Sequence, residues 1–457
     1  MADDTFGGGI SPEARICIDF GTALSKACIC LDPTLPLEVG VRPIPLGLVS
    51  ESDHPLLTPS VMFVDNGRLF FGPVAFGHAH RALAHNRDPL LSFKSVLAAK
   101  DVTAALNEKL PPSIDPTGTF RQRDALVLYL AYLDQLIREA LRRVPSLPQG
   151  AADAKRRYTS PAWRRGGEVD QLFAVIFNES AAVSRKLGRL MLSPEGVSIA
   201  QCRDALEKSA ATPVDGNLDS GVFEPHAAAA AALAYTNSPT RFVFVFDMGA
   251  GTTDIAAFDF NETVDPPTLE EIHEARQSCN LAGDEIDRIM VDLIMAKRGA
   301  GQREDDIRLK RTLRLHARAM KKVLFAEGKC TMKDGWKTTT IRVQDLVEDE
   351  QFRGFINKLG ERVGASLAIV AHRARAAHAP IIDVVLAGGG SHLNFIGELV
   401  RSVGHSAAPG VDLRIGPLTP ANVLYANVDQ YFVNVFPQIA MSVGGALVEL
   451  MPERVSA

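Results

Sequence analysis

The chain has 457 residues, 46% of them apolar, with 49 Lys and Arg against 54 Asp and Glu and a net charge of −5. That length suits about two to four domains or lobes with a buried core, and the mild acidity speaks against nucleic acid or an anionic membrane as the main partner. An acidic, glycine-rich start, six scattered cysteines without a C-x-x-C pair, and no apolar run near the roughly twenty residues of a membrane span lead us to expect a soluble protein of the reducing cytoplasm.

Residues 1–14 read as a flexible tail. From Arg15 an apolar strand ends in Asp19, turns through Phe20-Gly21-Thr22-Ala23 and resumes as a second strand. Two short apolar runs joined at Asn66-Gly67 predict a tight hairpin. Leu126, Tyr129, Leu130, Leu133, Leu136, Ile137 and Leu141 fall at helical spacing and predict an amphipathic helix over 123–142. Pro, Gly and Ser cluster at 144–154 and 193–219, which read as loops, with 196–210 offering a helix inside the second. A further helix starts at Glu224-Pro225, where proline is tolerated in the first turn. Next come a strand ending at Asp247, a turn through Gly249-Ala250-Gly251, a returning strand, and long helices over 305–325 and 352–377. The strand 381–386 meets Gly388-Gly389-Gly390, and a helix resumes near Asn394.

The two Asp-x-Gly hairpins superpose at an offset of 228, Asp19 on Asp247 and Gly21 on Gly249. One such turn is ordinary; a matched pair half a chain apart suggests two related lobes. Glycines let backbone amides approach and donate to phosphate oxygens. Two carboxylates facing each other would repel a bare polyphosphate, and a hydrated Mg²⁺ between them removes the conflict. The glycine triplet sits where open α/β sheets take their ligands, although it lacks G-x-G-x-x-G spacing.

Taken together, Ile18-Asp-Phe-Gly-Thr22, Glu224-Pro-His-Ala, Phe246-Asp-Met-Gly-Ala-Gly-Thr-Thr-Asp254 and Val385-Leu-Ala-Gly-Gly-Gly390 resemble the ATPase domain of the heat-shock-seventy (DnaK-type) chaperones, in the actin-like superfamily. The likeness is collinear from about residue 15 to 449, with smaller matches at Leu57-Thr-Pro-Ser60, Ser160-Pro-Ala-Trp163 and Leu281-Ala-Gly-Asp-Glu-Ile-Asp287. It implies an α/β, two-lobed actin-like (ribonuclease H-like) fold, each lobe a mixed sheet flanked by helices with an inserted subdomain. Lobe I would span 15–238, with an insertion near 50–115 and an extra one near 185–222. Lobe II would span 239–420, with an insertion near 284–365, and 421–457 would return to lobe I. The resemblance implies ATP or ADP and Mg²⁺ as cofactors, with Asp19 and Asp247 holding the metal through water. Gly21, Thr22, Ala23, Gly249, Ala250, Gly251 and Thr252 would face the phosphates, and Gly283, Lys321, Lys322, Gly388, Gly389 and Gly390 the nucleoside. Lys94, Glu224, Asp247, Thr252 and Asp254 would be the catalytic set.

Several positions depart from the family: Ala23 replaces a threonine, Ala250 a glycine, Arg318 a glutamate, Phe325 a serine and Gln438 an aspartate. The stretch from Trp163 to Glu224 is long for the family and reads as a surface for a dedicated protein partner or co-chaperone. Twelve residues follow Gly445, so no peptide-binding half is expected. The basic helix around Arg308 to Lys322 lacks interleaved aromatics and reads as a solvated face, not a nucleic-acid site. The expectation is a slow Mg-dependent ATPase whose lobe motion a partner reads. The alternatives are an actin-like filament former, a nucleotide-binding scaffold with little turnover, or a small-molecule kinase, for which no distinct motif is present.

Overall fold

The computed structural model describes residues 10–35, 40–83, 86–144, 147–148, 150–160, 167–211, 217–234, 240–299, 304–334, 337–418 and 430–447. The expected tail up to residue 9, the Pro161-Ala162-Trp163 match and the chain beyond 447 lie outside the described residues.

Two mixed sheets share one plan. In the first, Arg15–Asp19 pairs antiparallel with Leu24–Cys30 on one side and parallel with Lys155–Ser160 on the other, which in turn pairs parallel with Leu218–Phe223. In the second, Phe242–Met248 pairs antiparallel with Thr253–Asn261 and parallel with Ile381–Ala387, followed by Asp412–Pro417. Every residue of both central strands is buried. Such strands need helices on both faces of the sheet, which explains their near-continuous apolar runs. Helices Gln122–Arg142 and Glu168–Leu187 pack together in the first half, and the long helices Glu304–Glu327 and Glu350–Ala376 belong to the second. This is the two-lobed α/β class expected, with helix bounds within about three residues of those read from the spacing.

A further apolar cluster lies between the sheets, where the alanine-rich helix Glu224–Ala234 packs on Gln430–Leu447. Small residues let the two backbones meet: a Cβ on Gly444 would fall 1.7 Å from the Ala227 carbonyl oxygen. The cluster joins side chains from both central hairpins, among them Cys17, Cys28, Val245 and Phe258, so it ties the halves together at the base of the cleft.

The Asn66-Gly67 turn has φ of 46° and 72°, as a two-residue hairpin of matching twist requires. Its strands, Val61–Asp65 and Arg68–Phe71, belong to a small sheet with Leu90–Leu91 and Val197–Ser198. Within the 193–219 stretch the helix Ile199–Ala211 falls close to the one expected over 196–210, whereas the edge strand Val197–Ser198 and the start of Leu218–Phe223 stand where a loop was expected. Gly196, at φ 72°, makes that edge possible, since a Cβ there would lie 2.8 Å from both the Leu69 carbonyl oxygen and the Phe70 ring.

Gly444→Ala should cost about 2–3 kcal/mol by overpacking the helix pair, read as a lower urea midpoint. Gly354→Ala, in a helix interior with nothing within 4 Å of the added Cβ, should instead gain about 0.5–1 kcal/mol.

Candidate functional site

Both hairpins point their tips into one cleft of about 1860 Å³. The tips touch: a Cβ on Gly251 would lie 3.1 Å from Thr22 Cγ2, so glycine is what permits the contact. In the second turn the Gly249 amide donates to the Thr252 carbonyl (2.9 Å), while the Gly249 and Ala250 carbonyls accept from the Gly283 and Asp284 amides (3.1 and 2.7 Å). The amides of Ala250, Gly251 and Thr252 donate to nothing among the described residues, and all three residues line the cleft. In the first turn a Cβ on Gly21 would meet the Leu24 carbonyl at 2.2 Å. The Gly21 and Ala23 carbonyls accept from the Ser60 hydroxyl and amide (2.7 and 2.9 Å). Gly388, at φ 74°, comes so near Asp247 that a Cβ would stand 2.3 Å from its Oδ1; Gly390 abuts Met248, and Gly389 faces open space.

Three buried carboxylates, Asp19, Glu224 and Asp247, line the cleft floor, and a fourth, Asp254, is buried behind them opposite Asp247 on the returning strand. Lys94, also buried, donates from Nζ to Glu224 Oε1 at 2.7 Å, and Thr159 Oγ1 lies 3.4 Å from the same oxygen. Lys26 Nζ sits 2.6 Å from Asp19 Oδ2. The Thr252 hydroxyl donates to Asp254 Oδ2 at 3.0 Å. Asp247 Oδ1 and Asp254 Oδ1 have no hydrogen-bond partner among the described residues.

Burial, then Glu224 and Asp254, push the Asp247 carboxyl well above the usual carboxylate range, with Lys26 opposing. Burial and Glu224 push Asp254 up to about 6, against hydrogen bonds from Ser278 and Thr252. Burial would lower Lys94, but Glu224, Asp19 and Asp254 outweigh it and hold the ammonium above its ordinary value. Orphaned carboxylate oxygens at a site with more acids than bases suit a hard, hydrated divalent cation on the Asp247 side. Asp19 Oδ2 likewise has no hydrogen-bond partner among the described residues, although the Lys26 ammonium stands 2.6 Å from it as an ion pair.

The other expected residues lie around the same cleft. Lys321 is anchored by the Gly283 carbonyl (2.8 Å) and Asp287 (3.0 Å), whereas Lys322 is exposed. His392 borders that end, with its Nε2 3.0 Å from Gln438 Nε2. Phe325 packs on Phe395, ring centroids 5.5 Å apart. Arg318 donates from Nη2 to Ser92 Oγ and Asp284 Oδ1, both at 3.0 Å, and Ser92 Oγ donates to Asp284 Oδ2 at 2.7 Å, which bridges the cleft mouth. His80 meets His316 at 3.1 Å, and Arg311 reaches Asn86 and Asp88 beside them.

Sequence reasoning missed Lys26, Thr159 and the Ser92–Asp284–Arg318 bridge. Only Lys26 left a signal: in an antiparallel hairpin with this turn it lies directly opposite Asp19.

Residues 222–412 match the family model described as Hsp70 protein. The match takes in the second hairpin and the glycine triplet and begins after the first hairpin and Lys94, where the likeness rests on motif and geometry. A chaperone protein HscA homolog of Methylibium petroleiphilum is 28% identical over 239 residues, which cover 50% of this chain and 37% of the relative. Chaperone protein HscA of Cronobacter sakazakii is 26% identical over 48% of this chain and 36% of its own length. An HscA homolog of Shewanella putrefaciens is 25% identical over 49% and 37%. The matched stretch thus spans little more than a third of these relatives, and the chain is similar to the Hsp70 family, as its motifs led us to expect.

Because Asp254 is raised, its ionisation weakens the folded state. This contribution is absent below the unfolded value of 3.8 and grows as pH rises through about 6. Asp254→Asn should therefore stabilise the ligand-free protein by about 2–3 kcal/mol at pH 7.5 and by little at pH 4. Urea midpoints at the two pH values check it; an equal gain at both would refute the linkage.

Proposed function

We propose that the cleft binds ATP and ADP and hydrolyses ATP slowly with Mg²⁺, and that a protein partner or co-chaperone in the cytoplasm reads the resulting change in lobe angle. The observation that carries this reading is the contact between two matched hairpin tips above orphaned, buried carboxylate oxygens. Likeness to the Hsp70 family supports it.

In this reading the free amides of Ala250, Gly251 and Thr252, with Thr22 opposite, orient the terminal phosphates. Gly388 and Gly389 give a flat approach toward the nucleoside, beside Lys322 and His392. Asp247, with a share from Asp19, holds the waters of Mg²⁺, which supplies charge neutralisation on the phosphates. Lys94, kept protonated by Glu224, directs a second positive charge at the terminal phosphate. Asp254 is held by Thr252 and titrates near 6, so at neutral pH it is ionised and able to take a proton from the attacking water. Phosphoryl transfer asks for positioning and charge stabilisation rather than covalent chemistry, and this set offers both. The polar bridge through Ser92, Asp284 and Arg318 closes over the bound nucleotide and releases with opening. The helix Ile199–Ala211 and the strand before it offer the partner a surface.

Measuring ATP turnover in the wild type, Lys94→Ala and Asp247→Asn tests the proposal. Each variant should lose about a hundredfold in turnover while still binding ADP. Unchanged hydrolysis in both would remove these residues from the chemistry; a wild type that binds neither nucleotide would overturn the reading.

A further inference from the structure

We propose that His80 and His316 form a proton-sensitive clasp across the cleft mouth, which holds the rim closed at neutral pH and lets it go in acid. Its effect on ADP rests on the nucleotide reading above; the clasp itself can be read without any ligand.

His80 lies near the end of the helix Gly72–Ala82 and His316 in the middle of Glu304–Glu327, so the pair joins positions 236 apart in the chain. His80 is exposed and His316 half-buried. His80 Nδ1 and His316 Nε2 stand 3.1 Å apart, and the ring centroids 5.1 Å. Phe76 lies edge-on to His316 with centroids 5.8 Å apart, and both line the cleft, so the clasp is part of its wall.

Two ring nitrogens share a hydrogen bond only when one carries a proton and the other a lone pair. With both imidazoles neutral, one N–H donates to its neighbour. One added proton keeps the bond and makes it charge-assisted. A second leaves an N–H on each facing nitrogen, so the acceptor is gone and two like charges meet.

The surroundings oppose that second proton. Burial first, and then His80, hold His316 below its ordinary value of 6.5. The charged side chains about the pair are Arg81 beside His80, Arg314 one half-turn before His316, and Asp88, which Arg311 holds at 3.5 Å. His78 of the first helix is engaged instead with the Phe70 ring and Asp65. The clasp is therefore intact at neutral pH and is lost as pH falls through the titration of His316, below 6.5. Asp254 titrates at about 6, but at the other end of the cleft. A substitution at the rim removes the clasp and leaves the Asp254 share of any pH dependence in place.

The test follows release of a fluorescent ADP analogue from the full chain by stopped flow between about pH 5 and 7.5, with small-angle scattering of the ligand-free chain over the same range. Wild type, His80→Asn and His80→Ala are compared, and circular dichroism checks that each stays folded. Asparagine sets an amide where Nδ1 stands and can donate or accept without titrating. Release from the wild type should quicken about threefold to tenfold in acid, the loss of one hydrogen bond, and its radius of gyration should rise. His80→Asn should lose both changes, and His80→Ala should release at neutral pH as fast as the wild type does in acid. A His80→Asn profile parallel to that of the wild type overturns the clasp, and so does slow release from His80→Ala at neutral pH. If the wild type binds no ADP analogue, the nucleotide reading fails, and the scattering decides the clasp alone: an acid expansion absent from His80→Asn supports it, and equal curves overturn it.

Discussion

Four buried carboxylates stand together at and just behind the cleft floor, and most of what surrounds them reduces the cost of that arrangement. Isolated ionised carboxylates are expelled from low-dielectric surroundings unless they are paired or protonated. Here two are paired, Glu224 with Lys94 and Asp19 with Lys26, and two rise in pKa, Asp254 to about 6 and Asp247 well above the usual carboxylate range. The close fit of Gly388 to Asp247 shields that carboxyl from water, and any side chain at this position would displace it. A protein tuned only for stability would not keep such a cluster, so the strain marks the place where function is concentrated.

The fold delivers this cluster by repetition. Each central strand carries its aspartate at the end nearest the cleft, and each is locked in register by a parallel neighbour on one side and an antiparallel one on the other. The apolar cluster between the sheets fixes the base of the cleft with close-packed helices, where separation would expose a large apolar area. The mouth is held differently, by Arg318, Arg311 and the His80–His316 contact, all partly exposed. Exposed pairs of this kind are worth about 0–1 kcal/mol each. The base of the cleft is thus held by buried apolar packing and its rim by weaker, partly exposed polar pairs.

Much of this was legible because the informative signals are local. An Asp-x-Gly turn between apolar runs, an Asn-Gly hairpin and a 3.6-residue periodicity each depend on neighbours within a few positions. The edge strand Val197–Ser198 has two residues and no period of its own, and it forms only because Gly196 lets the chain approach Leu69 and Phe70. The bridge of Ser92 to Asp284 and Arg318 joins residues about two hundred positions apart, and no pattern in the chain announces it. Lys26 is intermediate. Its position opposite Asp19 follows from counting across the hairpin, but that its ammonium lies at the cleft floor emerges only once the second hairpin is placed against the first.

The departures at the far end of the cleft have a physical meaning. Arg318 and Lys321 are engaged with Asp284 and Asp287 of their own lobe, so neither is a loose positive charge facing a ligand. His54 and His392 are both held below their ordinary value, by desolvation first and then by Lys322, so at neutral pH their imidazoles are uncharged. Gln438, where a family aspartate is replaced, meets His392 with a neutral amide. An aspartate there would instead favour the protonated imidazole and draw charge to that end. The cleft is thus divided, with carboxylates and ammonium groups at the hairpin tips and largely neutral hydrogen-bonding edges away from them, and this division orients any ligand that carries its charge at one end.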